Sequence, residues 1–213
     1  MPKFLKANQI PYDFLNHVDG RRFLIPKNEY DYFCVLIEKL KCNIDDINYV
    51  LKQDFAMRAN IIYFLVLSIW INETCSELWR LYNCQYKYDF TYADEDFRLD
   101  MMKLFSACRS ILIAHPACTS RHKDYGYDGS IVGIDIVSDK SEIISWLDKD
   151  YECMDFYLRV FDKNEKRFRT RYHGFLVSNI MLSIELNLNR LDAFMKYLKA
   201  VKRRDLGVKY PAK

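Results

Sequence analysis

The chain has 213 residues, 50% of them hydrophobic and 29% charged, and its formal net charge at pH 7 is +3. This composition is that of a soluble globular protein with one domain, or with one domain that carries an insertion. The net charge is too small to indicate a nucleic-acid or membrane partner by itself, so the positions of the charges are more informative about a partner than their sum.

The cysteines and the apolar runs indicate the compartment. Seven cysteines are scattered along the chain without a CxxC pair, which argues against a disulfide framework and favours reduced thiols. Residues 1–14 lack the apolar core of a signal peptide, and the longest apolar run, 61–71, is far shorter than the roughly 20 residues that cross a bilayer. We therefore expect a cytoplasmic protein that does not enter a membrane.

Helical periodicity dominates the first half of the chain. Residues 28–42 carry apolar side chains at three- and four-residue steps, behind Asn28 as a candidate N-cap. A short amphipathic segment follows at 45–53. Residues 56–84 contain no glycine or proline and are apolar nearly all round in their first half. Such a helix is expected at the centre of a bundle or at a subunit interface.

The second half alternates between helical and strand patterns. Residues 93–115 predict a helix that Pro116 ends, because the residue before a proline is pushed out of the α region. The β-branched run at 130–137 and an alternating pair of segments within 155–175 predict strands, and a last helix follows at about 175–204. The sequence thus predicts a mainly α fold.

This fold is a single domain over residues 1–213, with a small β insertion between its last two long helices. The insertion is expected at about 119–173.

Arg109 and His115 stand out at the end of the 93–115 helix. A six-residue step places two side chains about 120° apart on a helix, so they converge only where His115 leaves regular geometry before Pro116. The partial negative charge of a helix C-terminus favours the imidazolium form. Titration near neutral pH would suit His115 to both acid and base catalysis.

The segment CRSILIAHP, residues 108–116, resembles the hallmark motif of the HEPN superfamily: an arginine, four to six mostly apolar residues and a histidine near a helix end. The resemblance implies a HEPN-like bundle of long helices. It also implies a metal-independent ribonuclease without a cofactor, active as a homodimer, and a defence or toxin component whose partner is an antitoxin or regulatory protein. The family usually has Asn, Asp or His where this chain has Ser110, and the β insertion is not part of its common pattern.

In such an enzyme, His115 would act as general acid or base and Arg109 would stabilise the charged phosphorane. Two other interpretations remain open. Arg109 can bond a helix-end carbonyl or a carboxylate such as Glu73 or Glu77, with His115 only ending the helix. The protein is then a non-catalytic helical binding or regulatory protein, antitoxin-like. Alternatively, the same pocket holds a phosphate, and the protein is a nucleotide-binding sensor.

Further residues are candidates for binding the RNA substrate. Hydroxyl, imidazole and guanidinium groups follow the motif or lie in the alternating segment, where cations beside aromatic side chains suit a flexible RNA strand. These candidates are Ser110, Thr119, Arg121, His122, Arg167, Arg169 and Arg171. An exposed loop and a charged outer strand face explain the same residues without RNA. Arg167 and His173 repeat the six-residue spacing and are interpreted as part of a solvated strand face. His115, Cys118 and His122 lack a fourth ligand, so no metal site is predicted.

Overall fold

The computed structural model describes five ranges of the chain: 27–54, 57–86, 130–138, 154–163 and 168–200. Their elements are the helices α1 (Tyr30–Val50), α2 (Arg58–Tyr86) and α3 (Val177–Ala200) and the strands β1 (Ser130–Val137), β2 (Phe156–Lys163) and β3 (Phe168–Phe175). The described part is therefore mostly helical with a small sheet before α3, as predicted. The helix predicted at 93–115 lies outside the described residues.

Helix α1 is longer than the sequence pattern indicated. The predicted first helix, 28–42, and the predicted short segment, 45–53, are one continuous helix that ends at Val50. Ile44, Ile47 and Val50 extend its buried stripe without a break, at three-residue steps. The division into two pieces was wrong because the two residues between them, Asn43 and Ile44, are buried on the same stripe as their neighbours.

The starts of α1 and α3 also differ from the predicted ones. A 3-10 turn precedes α1, and Glu29 rather than Asn28 occupies the N-cap position, without a side-chain cap bond. Phe175, predicted to begin the last helix, is instead the last residue of β3. The N–H of Val177 donates to Oδ2 of Asp155 at 2.7 Å, so a residue 22 positions earlier in the chain caps α3.

Helices α1 and α2 pack antiparallel, with three side-chain contacts along one edge at seven-residue intervals, or about two helical turns. Tyr32 donates a hydrogen bond to Glu77, the Lys39 ammonium lies over the Trp70 ring, and Tyr63 donates to Asp46. Burial raises the pKa of the Tyr63 hydroxyl, and the bond to the Asp46 carboxylate raises it further.

Helix α2 is the central helix of the described bundle, as one of the two predicted alternatives had it. It packs against α1 on one side and α3 on the other, and its N-terminal end also contacts β1. Its buried apolar side chains are Ile61, Phe64, Leu65, Leu67, Ile69, Ile71, Cys75, Leu78 and Leu81. Most of its apolar surface is therefore covered within one subunit.

By length and composition alone, the segment Arg58–Leu81 of α2 is apolar enough to cross a bilayer. In its most apolar window, 61% of the residues are buried inside the protein, as in the core helix of a soluble bundle. The sequence expectation considered only the uninterrupted run 61–71, and the helix that contains this run has 29 residues. One such helix is weak support for a membrane segment.

The three strands form an antiparallel sheet in the order β1-β2-β3. One face, the inner face, packs on the helices through apolar side chains that belong to the same core cluster as α1, α2 and α3: Ile136, Phe156, Leu158, Val160 and Phe175. The Phe156 and Phe175 rings stack with their centroids 5.2 Å apart. The sheet thus has one face in the core and an opposite, outer face.

Candidate functional site

The predicted catalytic pair lies outside the described residues. Six predicted site residues fall between 87 and 129: Arg109, Ser110, His115, Thr119, Arg121 and His122. Arg167 lies between β2 and β3, also outside the described ranges, whereas Arg169 and Arg171 lie on β3. Of the predicted site residues, the described ranges therefore contain only Arg169 and Arg171.

Glu77 is one of the two carboxylates that the sequence offered as a partner for Arg109. Arg80 donates three hydrogen bonds to its carboxylate, at 2.7 to 3.0 Å, and Tyr32 donates another at 3.2 Å. The hydrogen bonds and charge of Arg80 hold the pKa of Glu77 below its ordinary value despite partial burial. This carboxylate is engaged by a neighbour on its own helix. Glu73, one turn earlier, is half-buried.

The register of β2 and β3 sorts the hairpin cations onto two faces. Arg171 pairs with Val160 and Arg169 with Asp162, which places both arginines at inner-face positions. Arg159 pairs with Tyr172, and Lys163 with Phe168, at outer-face positions. From the sequence, these cations and aromatic side chains were expected to lie beside one another on one surface. The register places Arg169 and Arg171 on the opposite face from Phe161, Phe168 and Tyr172.

On the outer face, four side chains form what we call the aromatic patch: Arg159, Phe161, Lys163 and Phe168. The rings of Phe161 and Phe168 stack with centroids 5.9 Å apart and planes 23° from parallel. The Arg159 guanidinium lies 5.4 Å from the Phe161 centroid, within cation–π range. Phe168 is 61% exposed. The patch presents an open aromatic surface between two cations.

The other end of the outer face is closed. Val137 and Tyr157 are buried there, with Met154 and Tyr172 packed against them. A Cβ built on Gly174 would lie 2.5 Å from Cγ of Met154, so the missing side chain at this position admits the methionine. The outer face therefore has a filled end and an open end, and the aromatic patch is at the open one.

His173 lies at an inner-face position, opposite the buried Leu158. Desolvation lowers the pKa of its imidazole below the ordinary value, and the nearby Arg171 charge lowers it further. The interpretation of His173 as part of a solvated strand face was wrong.

Asp135 on β1 joins the sheet to helix α2. Its carboxylate forms ion pairs with both Arg58 and Arg159. Arg58 also donates its Nε–H to the carbonyl oxygen of Ile136 at 2.7 Å. Two guanidinium groups share one carboxylate, so the cluster keeps one positive charge beside the aromatic patch.

Sequence reasoning missed Arg58 and Asp135. The positions are 77 residues apart, and neither belongs to a motif. The alternation of β1 places Asp135 on one face, but its pairing with Arg58 requires the tertiary structure. Comparisons of the chain with protein-family models, with curated proteins and with solved structures found no match.

Proposed function

We propose that this protein is a metal-independent endoribonuclease of the HEPN kind, a cytoplasmic homodimer with RNA as its substrate. The observation that carries the proposal is the six-residue step from Arg109 to His115 at the end of an apolar segment that Pro116 stops. The mainly helical architecture of the described residues supports it. The net positive charge of the outer sheet face supports a polyanionic substrate.

The chemistry follows from the two residue types. As the 2′-oxygen of a ribose attacks the adjacent phosphorus, His115 accepts its proton. Arg109 pairs with the phosphorane oxygens, where negative charge accumulates. The bond from phosphorus to the 5′-oxygen then breaks, and the second copy's His115 donates a proton to that oxygen. The products are a 2′,3′-cyclic phosphate and a 5′-hydroxyl, without a metal or a cofactor.

Substrate binding is proposed for the residues around this pair. Ser110, Thr119, Arg121 and His122 follow Arg109 closely in the chain and would bind the RNA next to the cleaved bond. Arg167 would contact a phosphate further along the strand, whereas Arg169 and Arg171, at inner-face positions of β3, are not assigned to the RNA. Mutation of a phosphate-binding arginine is expected to weaken binding of all sequences about equally.

The test is RNA cleavage by the purified full-length protein and two variants, His115→Ala and Arg109→Ala, with excess chelator present. We expect single-stranded RNA to be cut to products that end in a cyclic phosphate, as measured by mass spectrometry. His115→Ala should reduce the rate by about 10²- to 10⁴-fold, and Arg109→Ala by about 10²- to 10³-fold. His173→Gln is the matched control, because His173 has the same spacing from an arginine and should retain the rate.

Three results would contradict the proposal. The first is a folded protein that leaves several RNAs intact between pH 5 and pH 9. The second is cleavage that His115→Ala does not slow, which would indicate a contaminating nuclease. The third is loss of activity with chelator, which would indicate a metal-dependent reaction. Saturable RNA or nucleotide binding without turnover would instead favour the non-catalytic regulatory protein.

A further inference from the structure

The sheet carries a feature that the proposed catalytic pair does not use. The aromatic patch lies in the β insertion, on the face directed away from the helical core. Phe168 in this patch is 61% accessible, whereas the rings of Phe156 and Phe175 on the inner face, and of Tyr157 at the filled end of the outer face, are at most 3% accessible. Because Phe168 is not part of the core, its exposed ring is available to a ligand.

We propose that the aromatic patch is a base-stacking platform for single-stranded RNA, with Phe168 as the stacking surface. The proposal rests on the proposed function only in taking RNA as the ligand. It assigns a binding site on the sheet, separate in sequence from Arg109 and His115.

The ring geometry determines where a base would stack. Phe161 and Phe168 are already in contact with each other at a centroid distance of 5.9 Å, so a base does not fit between them. The accessible ring surface is that of Phe168, and Phe161 supports it from behind. Arg159 lies over Phe161 in turn, 5.4 Å from its centroid. Arg159, Phe161 and Phe168 therefore stack in series, and the contact with Phe161 holds the exposed Phe168 ring in position.

The surrounding charges favour a nucleic acid over an apolar peptide. Lys163 is exposed and directly opposite Phe168 in the β2–β3 register, within reach of a phosphate that flanks a stacked base. Arg58 and Arg159 together exceed the charge of Asp135 by one. With Lys163, these groups carry a net charge of +2 beside the rings. Proteins that bind single-stranded nucleic acids commonly combine aromatic side chains, on which bases stack, with cations that neutralise the phosphates.

The neighbours of Phe161 in its row are small. Phe161 pairs with Gly133 on β1 and with Thr170 on β3. Neither has a bulky side chain to shield the ring edge, so a strand of RNA can approach the sheet surface closely.

The test measures RNA binding in a His115→Ala background, so that cleavage does not consume the probe. The probe is an unstructured 12-nucleotide RNA with one 2-aminopurine, whose fluorescence falls when the base stacks. We expect Phe168→Ala to weaken binding by about 5- to 150-fold, the range for loss of one base–aromatic stack, and to abolish most of the quenching. Phe168→Trp should retain the affinity, and the new tryptophan should be quenched by RNA.

The matched control is Tyr49→Ala, which removes an aromatic side chain of similar exposure, 63%, from helix α1. It should leave both affinity and quenching unchanged. Lys163→Ala should weaken binding moderately and reduce the slope of log affinity against log salt by about one phosphate contact. A duplex of the same sequence, whose bases are already stacked, should show little dependence on Phe168.

The outcomes separate the platform from the nuclease. Unchanged affinity, KM and quenching in Phe168→Ala, with cleavage still dependent on His115, would overturn the platform and leave the nuclease standing. Binding that depends on Phe168, without cleavage by the wild-type protein, would support the platform and contradict the nuclease. Absence of RNA binding at micromolar protein and 0.1 M salt would overturn the platform, and a protein partner would then be the remaining occupant.

Discussion

The side-chain amide of Asn187 on α3 donates a hydrogen bond to the side-chain oxygen of Asn72 on α2. Both residues are buried, at 4% and 2% accessibility. Asn72 in turn donates its amide to the carbonyl oxygen of Ser68 at 2.9 Å. These bonds fix how α3 sits against the central helix, because a shift of either helix would leave buried amides without partners.

Replacement of Asn187 by alanine should destabilise the protein. The substitution leaves the Asn72 side-chain oxygen buried without its donor, at a cost of about 1–3 kcal/mol in the free energy of unfolding. Urea denaturation followed by circular dichroism measures the change. Asn189→Ala is the control, because Asn189 is an exposed asparagine on the same helix and its loss should change stability by less than about 0.5 kcal/mol.

The double variant Asn72→Leu, Asn187→Leu tests whether the two side chains interact. Removal of both amides leaves neither half of this hydrogen bond buried without its partner, so the double variant should lose less stability than the sum of Asn72→Leu and Asn187→Leu measured singly. Strict additivity would show that the two side chains do not interact, and would contradict the contact.

Asp155 caps α3 from outside that helix, so loss of its carboxylate should destabilise the first turn of α3. Besides accepting from the N–H of Val177, Asp155 donates its own backbone N–H to the carbonyl oxygen of Phe175 at 2.8 Å. Asp155→Ala should lower the free energy of unfolding by about 0.5–2 kcal/mol, and Asp155→Asn by less, because asparagine is also a good N-cap. Amide hydrogen exchange should accelerate in the first turn of α3. Asp45→Ala, at an exposed position within α1, should show neither effect.

His173 should make the stability depend on pH in a defined window. Because burial and Arg171 lower its pKa in the folded state, the unfolded chain binds a proton at His173 more readily. Its contribution to stability is fully present above the ordinary histidine pKa of about 6.5 and is lost as pH falls through the lower folded-state value. The difference in unfolding free energy between wild type and His173→Gln should change across that window. A difference that is constant from pH 7.5 to pH 5 would contradict the burial of this imidazole.

Local patterns predicted elements well, and long-range contacts explain what they left out. The strand SIVGIDIV was predicted at 130–137 and is β1, because β-branched residues in a short run are a local signal. The nearly uniform apolar surface in the first half of α2 predicted either the centre of a bundle or a subunit interface, and the packing against α1 and α3 shows the first. The continuity of α1 was missed because the polar run of Asn43, Asp45 and Asp46 resembles a break when it is read along the chain, although Asn43 is buried on the helix.

The candidate site required more than periodicity. Alternation along β3 placed Arg169 and Arg171 apart from Phe168 in principle, but only the pairing with β2 assigns each face to the core or to the outside. The Arg58 and Asp135 pair joins distant segments, and so does the Asn72 and Asn187 pair. No spacing rule connects such residues, because their distance in sequence carries no information about their distance in space.

The thiols of Cys42 and Cys75 should differ sharply in reactivity. Cys42 is exposed on α1, whereas Cys75 is buried in α2 at 2% accessibility, and burial raises the pKa of the Cys75 thiol. Because the thiolate is the reactive form, iodoacetamide at pH 8 should modify Cys42 within minutes and Cys75 only when the protein unfolds. Peptide mass spectrometry after timed alkylation measures both rates, and addition of urea should bring them together. Equal rates in the native protein would contradict the packing of α2 between α1 and α3.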